Sequence, residues 1–180
     1  NYLWIGYFAT ALNENGKAAL VMANSASDAG GSELEIRKKM IQNGIISQMV
    51  TLPSNMFSTV TLPATLWFFN KQRTHKDEIL FIDARNIFTQ VDRAHRKFSD
   101  EQIKNLGIIS RLYEGDSDAF WELVNEYKAE GKQEEVDWLL ERWPDGTYRD
   151  VIGLCKVAKI TGEDGIEDND WSLNAGRYVG

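Results

Sequence analysis

The chain has 180 residues, 43% hydrophobic and 26% charged, with a net charge of −7, the balance of a soluble globular protein able to bury a real core. A single cysteine, Cys155, excludes an intrachain disulfide, reads as a buried structural thiol, and fits a reducing, cytoplasmic setting. No apolar run has the length of a membrane span, no signal peptide is visible, and two histidines with one cysteine leave no metal-ligand cluster.

Residues 2–13 place Trp4, Ile5, Phe8, Ala9 and Leu12 at helical spacing, closed by Asn15-Gly16. The chain opens on this pattern without Met, which reads as a cut inside a longer protein. Lys17–Ala23 is expected to be a short, fully buried strand. Ser32-Glu33-Leu34-Glu35 has the form of a capping box and predicts a helix to about Gln42, ended by Asn43-Gly44. Ile45–Leu52 is the next strand, so strand, helix and strand in this order imply a βαβ unit and a parallel pair. Leu62–Phe69 follows after only nine residues, too few for a crossover helix, and is expected to pair antiparallel. Ile79–Asp83 adds a further strand, and Asp83 reads as a strand-end turn residue or a site carboxylate. Ser99-Asp100-Glu101-Gln102 is a second capping box, opening a helix to about Tyr113. Residues 117–142 read as two helices broken near Gly131, followed by a Pro144-Asp145-Gly146 turn. There is no internal repeat and no Gly-rich phosphate or dinucleotide loop.

Charge is unevenly placed. Residues 113–145 carry eleven acids against three bases, while 71–97 carry seven Lys and Arg against four acids, with His75 and His95 added. The second stretch is either a solvated face or a polyanion contact, because electrostatic footprints are local. The connection between the two β runs, Leu52 to Leu62, holds a lone aromatic, Phe57, in a Pro- and Ser-bounded loop. Loops at the strand ends of an α/β sheet are where ligands usually sit. Phe57 is therefore either a ligand-facing ring or a hydrophobic plug on Met56 or Pro63. Ser54 and Asn55 stand beside it, and Asn24, Ser25 and Ser27 follow the first strand at the same end of the sheet.

These pieces, in this order, resemble the carboxy-terminal half of the modification (M) subunit of type I restriction-modification systems. The resemblance rests on Asn13–Asn24, Glu35–Phe57, Leu62–Lys71, the run Ile79-Leu80-Phe81-Ile82-Asp83-Ala84-Arg85, Asp92-Arg93-Ala94-His95-Arg96-Lys97 through Ile103, and the ending Leu173-Asn174-Ala175-Gly176-Arg177-Tyr178. It implies an α/β fold, the back half of a class I, Rossmann-like S-adenosylmethionine-dependent methyltransferase sheet. Lys17–Ala23 would be its fifth strand, Ile45–Leu52 its sixth, and Leu62–Phe69 a seventh inserted antiparallel between them. A helical C-terminal extension would follow, giving units 1–98 and 99–180 with an insertion at 113–145.

The resemblance further implies a site-specific DNA adenine-N6 methyltransferase. Its cofactor loop and Asn-Pro-Pro-aromatic catalytic motif would lie upstream of Asn1, so no catalytic residue is expected in this segment and the segment alone would be inactive. Phe57 takes the position of the ring that stacks on a flipped target base. Asn24, Ser54 and Asn55 would rim its pocket, and Arg73, Lys76, Arg93 and Arg96 would meet DNA phosphates. DNA, a specificity subunit and a restriction subunit are the implied partners. The competing reading is a non-catalytic interaction module built on the acidic segment 117–142, with Trp121, Trp138 and Trp143 marking a subunit interface. A third is another α/β transferase whose cofactor loop lies elsewhere.

Overall fold

The structure, a computed structural model, describes residues 17–56 and 63–180. The helix expected over residues 2–13 lies outside the described residues. The described strands are β1 (Lys17–Ala23), β2 (Ile46–Thr51), β3 (Ala64–Asn70), β4 (Glu78–Asp83), β5 (Thr89–Gln90), β6 (Arg96–Lys97) and β7 (Cys155–Lys159). The described helices are α1 (Ser32–Gln42), α2 (Asp100–Tyr113), α3 (Ser117–Ala129) and α4 (Gln133–Arg142). Five strands form one sheet in the order β1-β3-β2-β4-β7, and β5 and β6 form a separate hairpin.

The short connection before β3 has the expected consequence. β3 lies between β1 and β2, antiparallel to both, paired from Lys17↔Asn70 to Ala23↔Ala64 and, after a register shift between Ile46 and Gln48, from Gln48↔Phe68 to Thr51↔Thr65. β4 runs parallel to β2, Gln48↔Leu80 to Thr51↔Asp83. β1, β2 and β4 therefore point the same way, and the loops that follow them gather at one end of the sheet.

Each face of the sheet has its own core. Met49, Trp67, Phe69 and Phe81 pack on one side with Met40 and Ile41 of α1 and with the C-terminal tail. Val50, Leu80 and Ile82 pack on the other with Ile108, Ile109 and Leu112 of α2 and with α3 and α4. The capping box at Ser99 forms: its hydroxyl accepts from the Gln102 N–H, and the Gln102 side chain accepts from the Ser99 N–H. Gly131, in the left-handed region at φ +71°, separates α3 from α4 where the sequence placed a break.

Four expectations are corrected. β1 is not fully buried: its residues alternate between exposed and half-buried, because among the described residues it pairs only with β3. Ser32 does not cap α1, whose N-cap is Gly31 at φ +66° with no side-chain cap. The tail contributes β7, antiparallel to β4 from Glu78↔Lys159 to Ile82↔Cys155, where the sequence pattern was too short to show a strand. Of the three tryptophans proposed as interface markers, Trp143 is fully buried and donates its Nε1–H to the Arg149 carbonyl. Trp138 is half-buried against it, with the Arg142 guanidinium over its ring, and Trp121 alone is exposed.

Cys155 is buried at the start of β7, and that burial pushes its thiol up from the ordinary value to about 11. The folded state thus holds a proton that the unfolded chain gives up. Its stabilisation is full below about pH 9 and is lost as the pH rises toward 11. Because the thiolate is the reactive form, a thiol reagent at pH 8 is expected to label Cys155 only at the rate of unfolding. Fast labelling without denaturant would contradict this burial.

Candidate functional site

The carboxyl ends of β1, β2 and β4 carry three neighbouring segments. A 3-10 turn, Asn24–Ser27, follows β1. The segment from Leu52 to Met56 follows β2, with Leu52 N–H bonded back to the Ala64 carbonyl at 2.8 Å. Ala84 and Arg85 follow β4, tied to β2 by the Ala84 N–H on the Thr51 carbonyl at 2.8 Å. In open α/β sheets this end is where ligands are held.

Asp83 closes β4 as a buried carboxylate. Arg85 grips it in a two-point fork, Nε to Oδ1 at 2.9 Å and Nη2 to Oδ2 at 2.7 Å, and adds its own backbone N–H. The acid is satisfied as an acceptor, so it is a local brace rather than a base awaiting a proton. The outer side of Arg85 faces the tail, where a Cβ at Gly176 would sit 3.3 Å from its Nη2.

The hairpin β5–β6 stands beside the Leu52–Met56 segment. Its Arg96 donates its backbone N–H to the Asn55 carbonyl at 2.9 Å and Nη1–H to Ser54 Oγ at 3.0 Å. The Arg96 guanidinium lies 4.0 Å over the Phe88 ring, and its Nε–H reaches Gln90 Oε1 at 3.2 Å. At the hairpin turn, Asp92 accepts from the Ala94 N–H and from His95 Nδ1, both at 2.8 Å. Those two partners hold its carboxyl below the usual range. Arg93 and Lys97 are exposed on the same hairpin.

The sequence-predicted residues therefore divide. Ser54, Asn55, Arg93 and Arg96 come together at this end, and Asn24 opens the turn after β1 there. The Asn24 side chain and all of Phe57 lie outside the described residues. Arg73 and Lys76 are at the opposite end. Arg73 donates to the carbonyls of Gly44, Ile46 and Glu78, closing the amino ends of β2 and β4. Burial lowers the pKa of its guanidinium, with Tyr113 and Glu78 working against that shift. Lys76 packs its Cβ where Gly44, at φ +70°, has none. Arg73 thus anchors the fold and shares no site with the hairpin. The sequence puts Arg73 and the hairpin arginines in one charged stretch, but β4 runs between them and sets them at opposite ends of the sheet.

A cavity of about 480 Å³ also opens at that far end, lined by Ser47, Gln48, Phe68, Arg73, His75 and Tyr113 among others. It is a whole strand length from the loops after β1, β2 and β4, so it is not the site those loops form. Sequence reasoning missed Phe88 and Gln90, which fix Arg96.

Chemically, the carboxyl-end site offers the Ser54 hydroxyl and Asn55 amide beside a hairpin whose Arg93 and Lys97 are exposed. These are the means to hold an anionic polymer and orient it, with Asp83 already committed to Arg85.

The sequence pattern of the family described as "N-6 DNA Methylase" matches residues 1–180. The chain is 35% identical over its full length to the type I restriction enzyme MjaIX methylase subunit of Methanocaldococcus jannaschii, covering 27% of that protein. It is 33% identical over its full length to the type I restriction enzyme HindI methylase subunit of Haemophilus influenzae, covering 34% of that one. The chain thus spans between about a quarter and a third of the length of these curated relatives. A solved structure, the type I restriction-modification system methyltransferase subunit from Streptococcus thermophilus, superposes with a TM-score of 0.67 at 24% identity, over 99% of this chain and 29% of that one. That likeness speaks for the α/β methyltransferase fold. With a match along its whole length, the chain belongs to the N-6 DNA methylase family.

Proposed function

We propose that this chain is the carboxyl-side part of the catalytic domain of a DNA adenine-N6 methyltransferase, the modification subunit of a type I restriction-modification system. The observation that carries the reading is β3 inserted antiparallel between β1 and β2. This order sets the loops after β1 and β2 at one end of the sheet, beside the basic hairpin. S-adenosylmethionine is the methyl donor of the reaction. Its binding loop and the Asn-Pro-Pro-aromatic motif belong to sequence upstream of Asn1, and the outer edge of β1 is where a preceding strand of that sheet would pair.

In this reading, DNA approaches the carboxyl-end loops. The target adenine leaves the stack at a cost of a few kcal/mol and is received by the loop that carries Phe57. Ser54, Asn55 and Asn24 rim that pocket, and Arg93 meets a phosphate, which positions the duplex without reading its sequence. Sequence choice falls to a separate specificity subunit and cleavage to a restriction subunit, and the assembly works in the cytoplasm.

The test is incubation of the complete gene product, with its specificity subunit, on DNA and S-adenosylmethionine. N6-methyladenine is expected among the digested nucleosides. Methylation of cytosine, or none, would overturn the reading. Residues 1–180 alone are expected to show no binding of S-adenosylmethionine by calorimetry, and clear binding would mean that the cofactor site is misplaced here.

A further inference from the structure

We propose that Arg96 is a positioning residue for the Ser54–Asn55 turn that leaves β2 rather than a phosphate contact, an assignment that rests on the adenine methyltransferase reading above. The segment leaving β2 turns sharply at Asn55, which sits in the left-handed region at φ +61°. Asn tolerates that region better than most residues, but the conformation still has to be held by its surroundings. Arg96 holds it from two sides: its backbone N–H is on the Asn55 carbonyl and its guanidinium is on the Ser54 hydroxyl, at 2.9 and 3.0 Å.

The pin is itself braced. The Phe88 ring lies under the guanidinium and Gln90 takes its Nε–H. At the base of the hairpin, Thr89 Oγ1 bonds to Gln102 Oε1 at 3.1 Å. Gln102 is the residue whose side chain closes the capping box of α2. A continuous set of contacts thus runs from the first turn of α2, through β5 and β6, to the loop before Phe57. Arg93, by contrast, is exposed on the hairpin turn. The two arginines, three residues apart, have different work: Arg93 faces outward, and Arg96 sets the loop.

The distinction is measurable, because a phosphate contact needs charge whereas this pin needs the planar fork. In the complete gene product with its specificity subunit, Arg96→Lys is expected to lower kcat for methylation at least tenfold. It should also weaken the fluorescence rise of 2-aminopurine at the target position by a similar factor. KM for DNA and the slope of log affinity against log salt should stay within twofold of wild type. Arg93→Ala is expected to raise KM and reduce the salt slope by about one. Ser54→Ala removes the pin's partner on the loop and leaves Arg96 intact. It should shift the 2-aminopurine signal in the same direction, and combining it with Arg96→Lys should add little. Normal kcat in Arg96→Lys together with a reduced salt slope in Arg96→Ala would make Arg96 a phosphate contact and overturn the proposal. So would a Ser54→Ala protein with unchanged base flipping, which also decides the matter should the arginine variants fail to fold. A wild type without N6-methyladenine overturns the parent reading and this assignment with it, whereas an active wild type with indifferent variants overturns this assignment alone.

Discussion

Arg37→Met is expected to destabilise the folded chain by about 3 kcal/mol, seen as a lower urea midpoint or a melting temperature lower by about 10 °C. Arg37 is only 2% exposed although it carries a full charge. From the middle of α1 it donates Nε–H to the Trp171 carbonyl at 2.7 Å and Nη1–H to the Ala29 carbonyl at 2.6 Å. One side chain thereby joins the helix and the loop just before it to the C-terminal tail, 134 residues away in sequence. Methionine matches much of the volume, so the loss is not mainly a cavity. It is two partly buried carbonyls left without a donor, each costing up to about 1–3 kcal/mol, partly offset because a guanidinium no longer has to be desolvated.

The tail has further ties to the same loop. The Leu173 N–H bonds to the Ser27 carbonyl at 3.0 Å and the Ser172 hydroxyl donates to Asp28, while the Tyr178 ring ties the tail to β4 by stacking on Phe81 with centroids 4.2 Å apart. Loosening Arg37 should therefore make the residues after Ile160 sensitive to protease before the sheet itself unfolds. A loss below about 1 kcal/mol would mean that other donors satisfy these carbonyls.

How much of this was readable beforehand varies with the range of the interaction responsible. α1 is placed by a capping box that does not form, α2 by one that does, and the pair α3 and α4 by apolar faces and a glycine break, all signals within a turn or two. The insertion of β3 followed from chain length alone, since nine residues cannot cross over a sheet. Features set by distant partners did not show. β1 reads as an inner strand because Ala-Ala-Leu-Val-Met-Ala is apolar throughout, yet its exposure depends on which strands flank it. β7 depends on β4, some seventy residues earlier in the chain. The resemblance supplied the order of the pieces, but it could not tell Arg73, spent on three carbonyls, from Arg93, which stays exposed. Arg37 did leave a trace: it stands three residues before Met40 and four before Ile41, a cation on the apolar stripe of its helix. A charge in that register points to buried acceptors, though not to which ones.

Phe57→Ala in the complete enzyme is expected to lower methylation about tenfold to a hundredfold while S-adenosylmethionine binding stays within a factor of two. Phe57 lies outside the described residues, so the prediction rests on the loop that leads to it and on the chemistry it would perform. Extruding an adenine costs a few kcal/mol, and a ring on the pocket wall returns about 1–3 kcal/mol by stacking. Since about 1.4 kcal/mol is a factor of ten in rate, removing the ring gives the stated range. Phe57→Tyr and Phe57→Trp keep a flat face and should retain most of the activity, whereas Phe57→Leu, comparably apolar but not planar, should behave nearly as badly as alanine. This series separates the two readings of the residue. A hydrophobic plug on Met56 or Pro63 would accept leucine and reject tryptophan on size, and its loss would lower stability and cofactor binding along with methylation. A stacking ring ranks the variants by planarity and leaves the cofactor untouched. The same ranking should appear in 2-aminopurine fluorescence at saturating DNA, because the ring acts on the base after it has left the duplex and before any methyl group moves.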